Sequence, residues 1–371
     1  MSREPELNLD ALIIGGGPAG SACANRLARG GARVAIVEST DYSAFRIGEV
    51  IDSSAQSHLS SLGLEALETQ AWASRCSGVM ATWGSVASEP RVPMLELQGR
   101  SYRVDRNRFD QALFNSAVQA GAAGFTRSRV TNLEIDQRKW KFALQSGEGL
   151  AQGRTEWVVA ATGRNRRAPG TPSQSKHRLD RLIAIAMIGG GENSGAHILQ
   201  EALHLQAASS GWWYSITTPS GRIVVVFLTD ADLLPAGKRA QSEFMLTQLS
   251  QVALPVRTTK IAETCLLEYR WSGFGAGSGI RTIGMAQNWI ATGDALTAYD
   301  PLCGKGIACA LGSGIETADL ILDSGSHDGT ARSKWADRVM REYNTHAVER
   351  LANYGLERRF SESTFWRRRQ D

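Results

Sequence analysis

Short apolar runs separated by glycine-rich turns open the chain. Residues 11–14 are all apolar and predict a buried strand. Residues 21–29 are rich in alanine and predict a helix, which the Gly30-Gly31 pair ends. Residues 33–37, apolar from Val34 onwards, predict a second strand. Strand, helix and strand in this order predict a parallel βαβ unit.

Further apolar runs recur far along the chain. Residues 157–160 and 289–292 each predict a buried strand that ends in a Thr-Gly turn, and the β-branched runs over 182–187 and 223–228 predict strands of a different sheet. Residues 334–357 predict a terminal helix that packs on the body of the protein. The apolar positions that can share one face of that helix are Trp335, Val339, Tyr343 and Leu351.

The turn of the βαβ unit carries the pattern GxGxxG. Gly15 permits a tight turn, Gly17 lets the backbone approach a pyrophosphate, and Gly20 lets the helix pack closely on the strand. Glu38 ends the second strand, where a carboxylate can accept ribose hydroxyls and would repel a 2′-phosphate. The pattern predicts a bound dinucleotide, FAD or NAD, and the alternative is a glycine-rich turn without a ligand.

The composition argues against several classes of protein. The chain has 371 residues, 42% of them apolar, and a net charge of +4 that does not argue for nucleic acid. Part of this charge lies in the C-terminal run 367–369, which predicts a solvated tail. Five cysteines without CxxC or metal-ligand spacing predict reduced thiols and no metal site. A polar start and the lack of a long apolar run predict a cytoplasmic protein without a membrane span.

Three more segments favour FAD through resemblance. The strand ending in Ala161-Thr162-Gly163 resembles one that passes near FAD in the glutathione reductase superfamily. Gly293-Asp294 and the following loop resemble the GD motif of para-hydroxybenzoate-hydroxylase-like flavoproteins, and residues 103–110 resemble their V-x-R-x-x-F-D segment. The resulting candidate FAD-binding residues are Gly15, Gly17, Pro18, Ala19, Gly20, Glu38, Ser39, Arg46, Gly48, Arg106, Ala161, Thr162, Gly163, Gly293, Asp294, Pro301, Gly304, Gly306 and Ile307.

A narrower resemblance comes from residues 45–49 and 300–302. They resemble the GE element and the D-P-L loop of flavin-dependent halogenases and geranylgeranyl reductases. Trp83-Gly84-Ser85, 211–214 and 365–369 are similar to flavoproteins that mature tryptophylquinone cofactors, which act on a tryptophan of a partner polypeptide. The halogenase lysine that follows the GE element is missing, since the first lysine is Lys139, and no W-x-W-x-I-P motif is present.

The resemblance implies a fold and a division into domains. We expect an α/β protein with a three-layer Rossmann-like FAD-binding domain, a mixed β-sheet substrate domain and a C-terminal helix. The FAD-binding domain is predicted to comprise 1–75, 103–167 and 285–325. The substrate domain is predicted to comprise 76–102 and 168–284, and the helical segment 326–371.

The same resemblance implies an FAD-dependent monooxygenase that hydroxylates an aromatic substrate, which could be a tryptophan of a precursor protein. Glu49 and Lys305 are the candidate catalytic residues, and Trp83, Trp212 and Trp213 are candidates for an aromatic substrate pocket. Residues 160–164 do not carry the D-G motif with which aromatic hydroxylases recruit NADPH, so a separate reductase is a candidate partner. A flavin-dependent reductase or dehydrogenase, a halogenase and a non-catalytic FAD-binding maturation partner stay open as alternatives.

Overall fold

A computed structural model describes residues 6–64, 66–84, 89–90, 101–147, 149–164, 168–170, 176–190, 201–281, 288–323 and 329–370. The strands are β1 Leu7–Ile14, β2 Val34–Val37, β3 Val50–Ile51, β4 Ala73–Cys76, β5 Gly78–Thr82, β6 Glu89–Pro90, β7 Ser101–Val104, β8 Ala123–Phe125, β9 Arg129–Asp136, β10 Lys139–Ser146, β11 Gly149–Ala160, β12 Lys176–Arg178, β13 Leu182–Gly190, β14 Ala202–Ala208, β15 Gly211–Thr217, β16 Arg222–Asp230, β17 Ser272–Gly275, β18 Gly279–Arg281, β19 Trp289–Ala291 and β20 Thr297–Ala298. The α-helices are α1 Pro18–Arg29, α2 Ala55–Ser61, α3 Arg106–Gln119, α4 Lys238–Leu249, α5 Val256–Leu267, α6 Gly306–Asp323, α7 Gly329–Gly355 and α8 Thr364–Gln370.

The first sheet has the strand order β8-β2-β1-β11-β10-β9, and β19 also pairs with β11. β1 lies parallel to both of its neighbours, so that Ile14 is opposite Val37 on one side and Ala160 on the other. Because β19 is also parallel to β11 and β8 is parallel to β2, five strands end at one edge of this sheet. A crevice beyond the carboxyl ends of parallel strands is where α/β folds bind ligands.

The predicted βαβ unit is confirmed with shifted boundaries. β1 begins at Leu7 and not at residue 11, because Leu7 and Leu9 belong to an alternation of apolar and polar residues that is typical of a strand. The polar residue Asp10 of this alternation binds Arg33 at 2.6 Å. α1 begins at Pro18 and not at residue 21, since proline is well suited to the first turn of a helix, where its missing N–H is not needed.

The second sheet has the order β17-β13-β16-β15-β14-β5-β6, and its two faces are covered differently. One face packs on α4 and α5, while the other faces the first sheet's ligand edge and the C-terminal residues. The predicted strands 182–187 and 223–228 lie within β13 and β16, which pair antiparallel and are buried on both faces. Two small sheets have the strand orders β3-β7-β4 and β12-β18-β20.

The predicted terminal helix is confirmed as α7, followed by α8. Trp335, Val339 and Tyr343 pack in the first sheet's core, whereas Leu351 is 46% exposed and does not share that face. The prediction of a solvated tail at 367–369 is wrong for Arg369, which is 1% exposed because its guanidinium binds the buried carboxylate of Asp230 at 2.6 Å.

None of the described helices is long and apolar enough to cross a membrane. The predicted domain boundaries stay a prediction, and those at 167, 284 and 325 lie outside the described residues, as does Ser85.

Candidate functional site

The GxGxxG turn is shaped by two close approaches that only glycine allows. Gly15 has a φ of +114°, and a Cβ there would lie 2.2 Å from the carbonyl oxygen of Ala161 at the end of β11. A Cβ on Gly20 would lie 1.9 Å from the carbonyl oxygen of Gly15. Gly17 faces open space instead, next to the N-terminus of α1 at Pro18. The turn therefore offers free backbone and a positive helix end to an anionic ligand.

Glu38 fixes the backbone around this turn. Its carboxylate is 6% exposed and accepts hydrogen bonds from the backbone N–H of Gly16 at 2.9 Å and from the N–H and hydroxyl of Thr40 at 2.9 and 2.8 Å. Since an ionised carboxylate offers about four acceptor positions, Glu38 keeps capacity for a ribose hydroxyl. Ser39 adds a long contact at 3.4 Å from its hydroxyl to the same carboxylate.

Two arginines are held beside the turn by one carboxylate. Asp110 on α3 is fully buried and binds Arg46 at 2.8 Å and Arg106 at 3.2 Å. Arg106 also donates to the carbonyl oxygens of Ile47 and Gly48, at 2.8 and 3.2 Å. Asp110 was not a predicted site residue, although it is the aspartate of the V-x-R-x-x-F-D segment. Its position predicts that both arginines have fixed orientations.

A cavity of about 470 Å³ extends from this turn to the second sheet. One wall belongs to the first sheet, its turn and the loops around α6: Gly17, Pro18, Ala19, Arg46, Gly48, Arg106, Ala161, Gly163, Arg164, Asp294, Pro301, Gly304, Gly306 and Ile307. The opposite wall comes from the second sheet: Ala184, Leu203, Leu205, Trp212, Tyr214, Leu228, Phe274, Gly275 and Ala276. The first wall is polar and glycine-rich, and the second is apolar and aromatic.

Glu49 lies where the two walls meet. Its carboxyl group is 2% exposed, one oxygen accepts the Tyr214 hydroxyl at 3.3 Å, and the other oxygen has no hydrogen-bond partner among the described residues. Burial raises the pKa of Glu49 from 4.5 to about 7. The Glu49 charge and burial also hold the pKa of Tyr214 well above its usual range, burial being the larger cause. A carboxyl group with a pKa near 7 can accept or release a proton at physiological pH.

The loop before α6 is fixed from both sides of the cavity. Arg164 donates to Asp294 at 2.8 Å and to the carbonyl oxygens of Ala276 and Tyr299 at 2.6 and 2.8 Å. Asp300 accepts the backbone N–H of Leu302 at 2.9 Å and so caps the turn that leads to Gly304, whose φ is +67°. α6 then starts at Gly306, so that its N-terminal N–H groups lie at the cavity.

Comparison with known proteins decides which dinucleotide this geometry serves. The model of the family described as FAD binding domain matches residues 8–245 of this chain. The chain belongs to the FAD binding domain family. It is an FAD-dependent oxidoreductase, and the open backbone at Gly17, the helix end at Pro18 and the oriented arginines fit FAD.

Relatives extend this likeness over the whole chain. LodB of Marinomonas mediterranea, named as an FAD-dependent oxidoreductase, is 27% identical over 364 residues, which are 97% of this chain and 96% of LodB. The solved structure of the myxobacterial chondrochloren halogenase CndH has a TM-score of 0.82 and 21% identity, over 99% of this chain and 86% of CndH. The structure of QhpG, described as a peptidyl tryptophan dihydroxylase, has a TM-score of 0.76 and 22% identity, over 98% of this chain and 79% of QhpG. Both structures show the predicted α/β fold.

A hydrogen-bonded chain connects the apolar wall with the loop before α6. Trp212 donates from Nε1 to the Tyr354 hydroxyl at 3.1 Å, and that hydroxyl donates to the Asp300 carboxylate at 3.2 Å. Arg350 binds the same carboxylate at 3.1 Å. Burial raises the pKa of Asp300, and Arg350 opposes this rise. Tyr354 and Arg350, both on α7, were not predicted, because they lie more than a hundred residues from the wall they support.

Of the predicted tryptophans, only Trp212 lines the cavity among the described residues. Trp83 is fully buried behind it at 6.2 Å between ring centroids, and its Nε1 donates to the carbonyl oxygen of Asn353 at 3.0 Å. Trp213 points to the opposite face of the sheet and packs on Phe227 at 4.6 Å, since neighbouring residues of a strand alternate in direction. The structure therefore places one of the three predicted side chains at the cavity.

Lys305 does not line the cavity. It is half-buried in the loop before α6. Burial raises the pKa of Cys303 and Cys309 to about 12 and lowers that of His346, while the Lys305 charge opposes the rise at both cysteines and adds to the fall at His346. No described residue of the cavity lining is a lysine. A catalytic role for Lys305 stays a prediction that the lining does not support.

Proposed function

We propose that this chain is an FAD-dependent monooxygenase that hydroxylates an aromatic ring, and that the ring is a tryptophan side chain of a partner polypeptide. The observation that carries the proposal is Glu49, a buried carboxyl group with one unpartnered oxygen. Glu49 lies between the polar, glycine-rich wall and the apolar wall that contains Trp212 and Tyr214. The site thus brings together a proton acceptor, an aromatic surface and the cofactor.

The predicted residues would hold the cofactor. The turn at Gly15, Gly17 and Gly20 holds the pyrophosphate, and Glu38 holds the adenosine ribose. Asp294 would hold the ribityl chain, and the N-terminus of α6 at the cavity would stabilise negative charge on the flavin. Arg46 and Arg106, held by their common carboxylate, complete the cradle.

Hydroxylation replaces a ring C–H bond by C–OH. Bound FAD in its reduced form supplies the two electrons with which one atom of O₂ is reduced to water while the other enters the ring. The apolar residues Leu203, Leu205 and Leu228 exclude water from the ring, and Trp212 stacks against it. The unpartnered oxygen of Glu49, ionised near pH 7, accepts the proton that leaves the ring carbon.

Similarity to a known protein, and not a contact in this structure, supports a polypeptide substrate. QhpG, described as a peptidyl tryptophan dihydroxylase essential for tryptophylquinone cofactor biogenesis, has the same fold over 98% of this chain. A reductase partner is part of the proposal, because residues 160–164 do not carry the D-G motif with which aromatic hydroxylases recruit NADPH.

Halogenation is the second candidate, since CndH shares the fold and tryptophan 2-halogenase of Chondromyces crocatus is 32% identical over 159 residues. The cavity lining argues against it: none of its described residues is a lysine that could direct a hypohalous acid. Product analysis in bromide-containing buffer distinguishes the two reactions, because only halogenation adds bromine to the substrate.

The test uses the FAD-loaded protein, a chemical or enzymatic reductant, O₂ and a tryptophan-containing peptide. Mass spectrometry should show the gain of oxygen, and kcat should rise with pH through about 7, because the ionised form of Glu49 accepts the proton. Glu49→Gln should lower kcat at least about a hundredfold, while the exposed Glu243→Gln should not. Unchanged peptide with rapid O₂ consumption, or reduction of the substrate without O₂, would contradict the proposal.

A further inference from the structure

Strand β17 forms both an edge of the second sheet and part of the rim of the cavity. In the described part of the chain it pairs with β13 alone. Ser272, Gly273 and Phe274 are exposed, and Phe274 and Gly275 line the cavity. The edge carries none of the usual protection against pairing, since residues 272–275 contain no charge and no proline.

The direction of the backbone groups on this edge follows from the ladder. Ala276, next after the strand, donates its N–H to the carbonyl oxygen of Leu182 at 3.0 Å, towards β13. In an antiparallel pair successive residues alternate between facing the partner and facing away. Gly273 and Gly275 therefore point their N–H and C=O groups away from β13. A Cβ on Gly273 would meet nothing within 4 Å, so the space above the strand at this residue is also open.

We infer that β17 is a docking edge for an extended segment of the polypeptide substrate, which adds as a further strand beside it. This inference rests on the proposed function and names how its substrate is held. The two glycines present N–H donors and C=O acceptors in alternation along the edge. This pattern matches the backbone of an extended peptide, and it does not match a small aromatic molecule.

The register of the edge directs a side chain of the docked strand into the cavity. Phe274 is paired with Ala184, and both line the cavity, so that face of β17 is the cavity face. A strand added beside β17 lies about 4.8 Å away, with alternate side chains on the same face. A tryptophan next to Phe274 therefore reaches over the mouth of the cavity, while the sheet holds the rest of its chain outside.

The test separates docking from chemistry by measuring binding. The probe is a fluorescein-labelled peptide of alternating valine and threonine with one central tryptophan, and its Kd for the FAD-loaded protein is measured by anisotropy. Gly273→Pro removes an outward N–H without touching the β13 ladder, and it should raise the Kd about tenfold. Gly273→Ala keeps the N–H and adds a methyl group into open space, so its Kd should stay within about twofold.

A second measurement requires no variant. The same peptide with a backbone ester in place of the amide that meets Gly273 should bind the wild-type protein about tenfold more weakly. Equal affinity of both peptides, equal affinity of Gly273→Pro and wild type, or no saturable binding by wild type overturns the docking inference. Hydroxylation of free indole by wild type would then still support the proposed function. Peptide binding that follows the variants, without hydroxylation of peptide or indole, refutes the proposed function and leaves docking intact.

Discussion

Glu49→Gln should stabilise the fold at high pH, even though it removes a proposed proton acceptor. The pKa of Glu49 is raised from 4.5 to about 7 by burial. Below pH 4.5 the carboxyl group is protonated in both the folded and the unfolded chain, and its contribution to stability is fully present. As the pH rises to about 7, the unfolded chain releases the proton and the folded chain keeps it, so the free energy of unfolding falls. Glutamine cannot ionise and escapes this loss.

The size of the effect follows from the two pKa values. Each pH unit between them costs about 1.4 kcal/mol, so the wild type loses about 3 kcal/mol of unfolding free energy between pH 4.5 and pH 7. The advantage of Glu49→Gln should therefore grow by about 3 kcal/mol over this range and then stay constant. No discount for solvent is needed, because Glu49 is only 2% exposed.

Urea unfolding of the flavin-free protein at several pH values measures this difference without a contribution from cofactor binding. Glu243→Gln is the matched control, since that carboxylate is 63% exposed and should give a difference that does not change with pH. A difference for Glu49→Gln that is independent of pH would refute the reasoning. It would mean that water solvates Glu49, and the proposed proton transfer would lose its basis.

Three further changes test other parts of the site. Gly17→Ala adds a carbon in open space at the cavity, so it should weaken FAD binding about tenfold in a flavin fluorescence titration without changing Tm. Gly20→Ala should instead destabilise the fold itself, which thermal unfolding would show. Asp110→Asn should weaken FAD binding at least about tenfold in the same titration, because two arginines lose their common carboxylate. Tyr354→Phe should cost about 2 kcal/mol in urea unfolding, since it leaves Trp212 Nε1 buried without its acceptor; an unchanged midpoint would contradict that contact.

The nucleotide half of the site could be predicted because its signals are local. The glycines of the turn, the strand before them and the carboxylate of Glu38 lie within about thirty residues, and each has a steric or electrostatic reason to be there. The contact between Gly15 and Ala161 joins segments that are far apart in the sequence. Both segments can nevertheless be recognised from the sequence as strands that end in small residues. The close packing of these two strand ends then determines how the segments are arranged.

The apolar half could not be predicted to the same depth. β15 is buried on both faces, so the pattern does not say whether Trp212 or Trp213 faces the cavity. Tyr214 and Glu49 are separated by 165 positions, and their contact depends on how the second sheet packs on the first. Arg369 was predicted to belong to a solvated tail for the same reason. Its partner Asp230 lies 139 positions away in the sequence, so the local pattern does not reveal the ion pair.

The loop before α6 depends on residues that never reach the cofactor. The described lining of the cavity includes no residue from α7 or α8. Nevertheless Asp300, which caps the turn of that loop, is buried and receives donors from Arg350 and Tyr354 of α7. A buried carboxylate without these donors would be costly, so the loop and the helix stabilise each other's position. Since Tyr354 also accepts the indole N–H of Trp212, a shift of α7 would move the cofactor loop and the aromatic wall together.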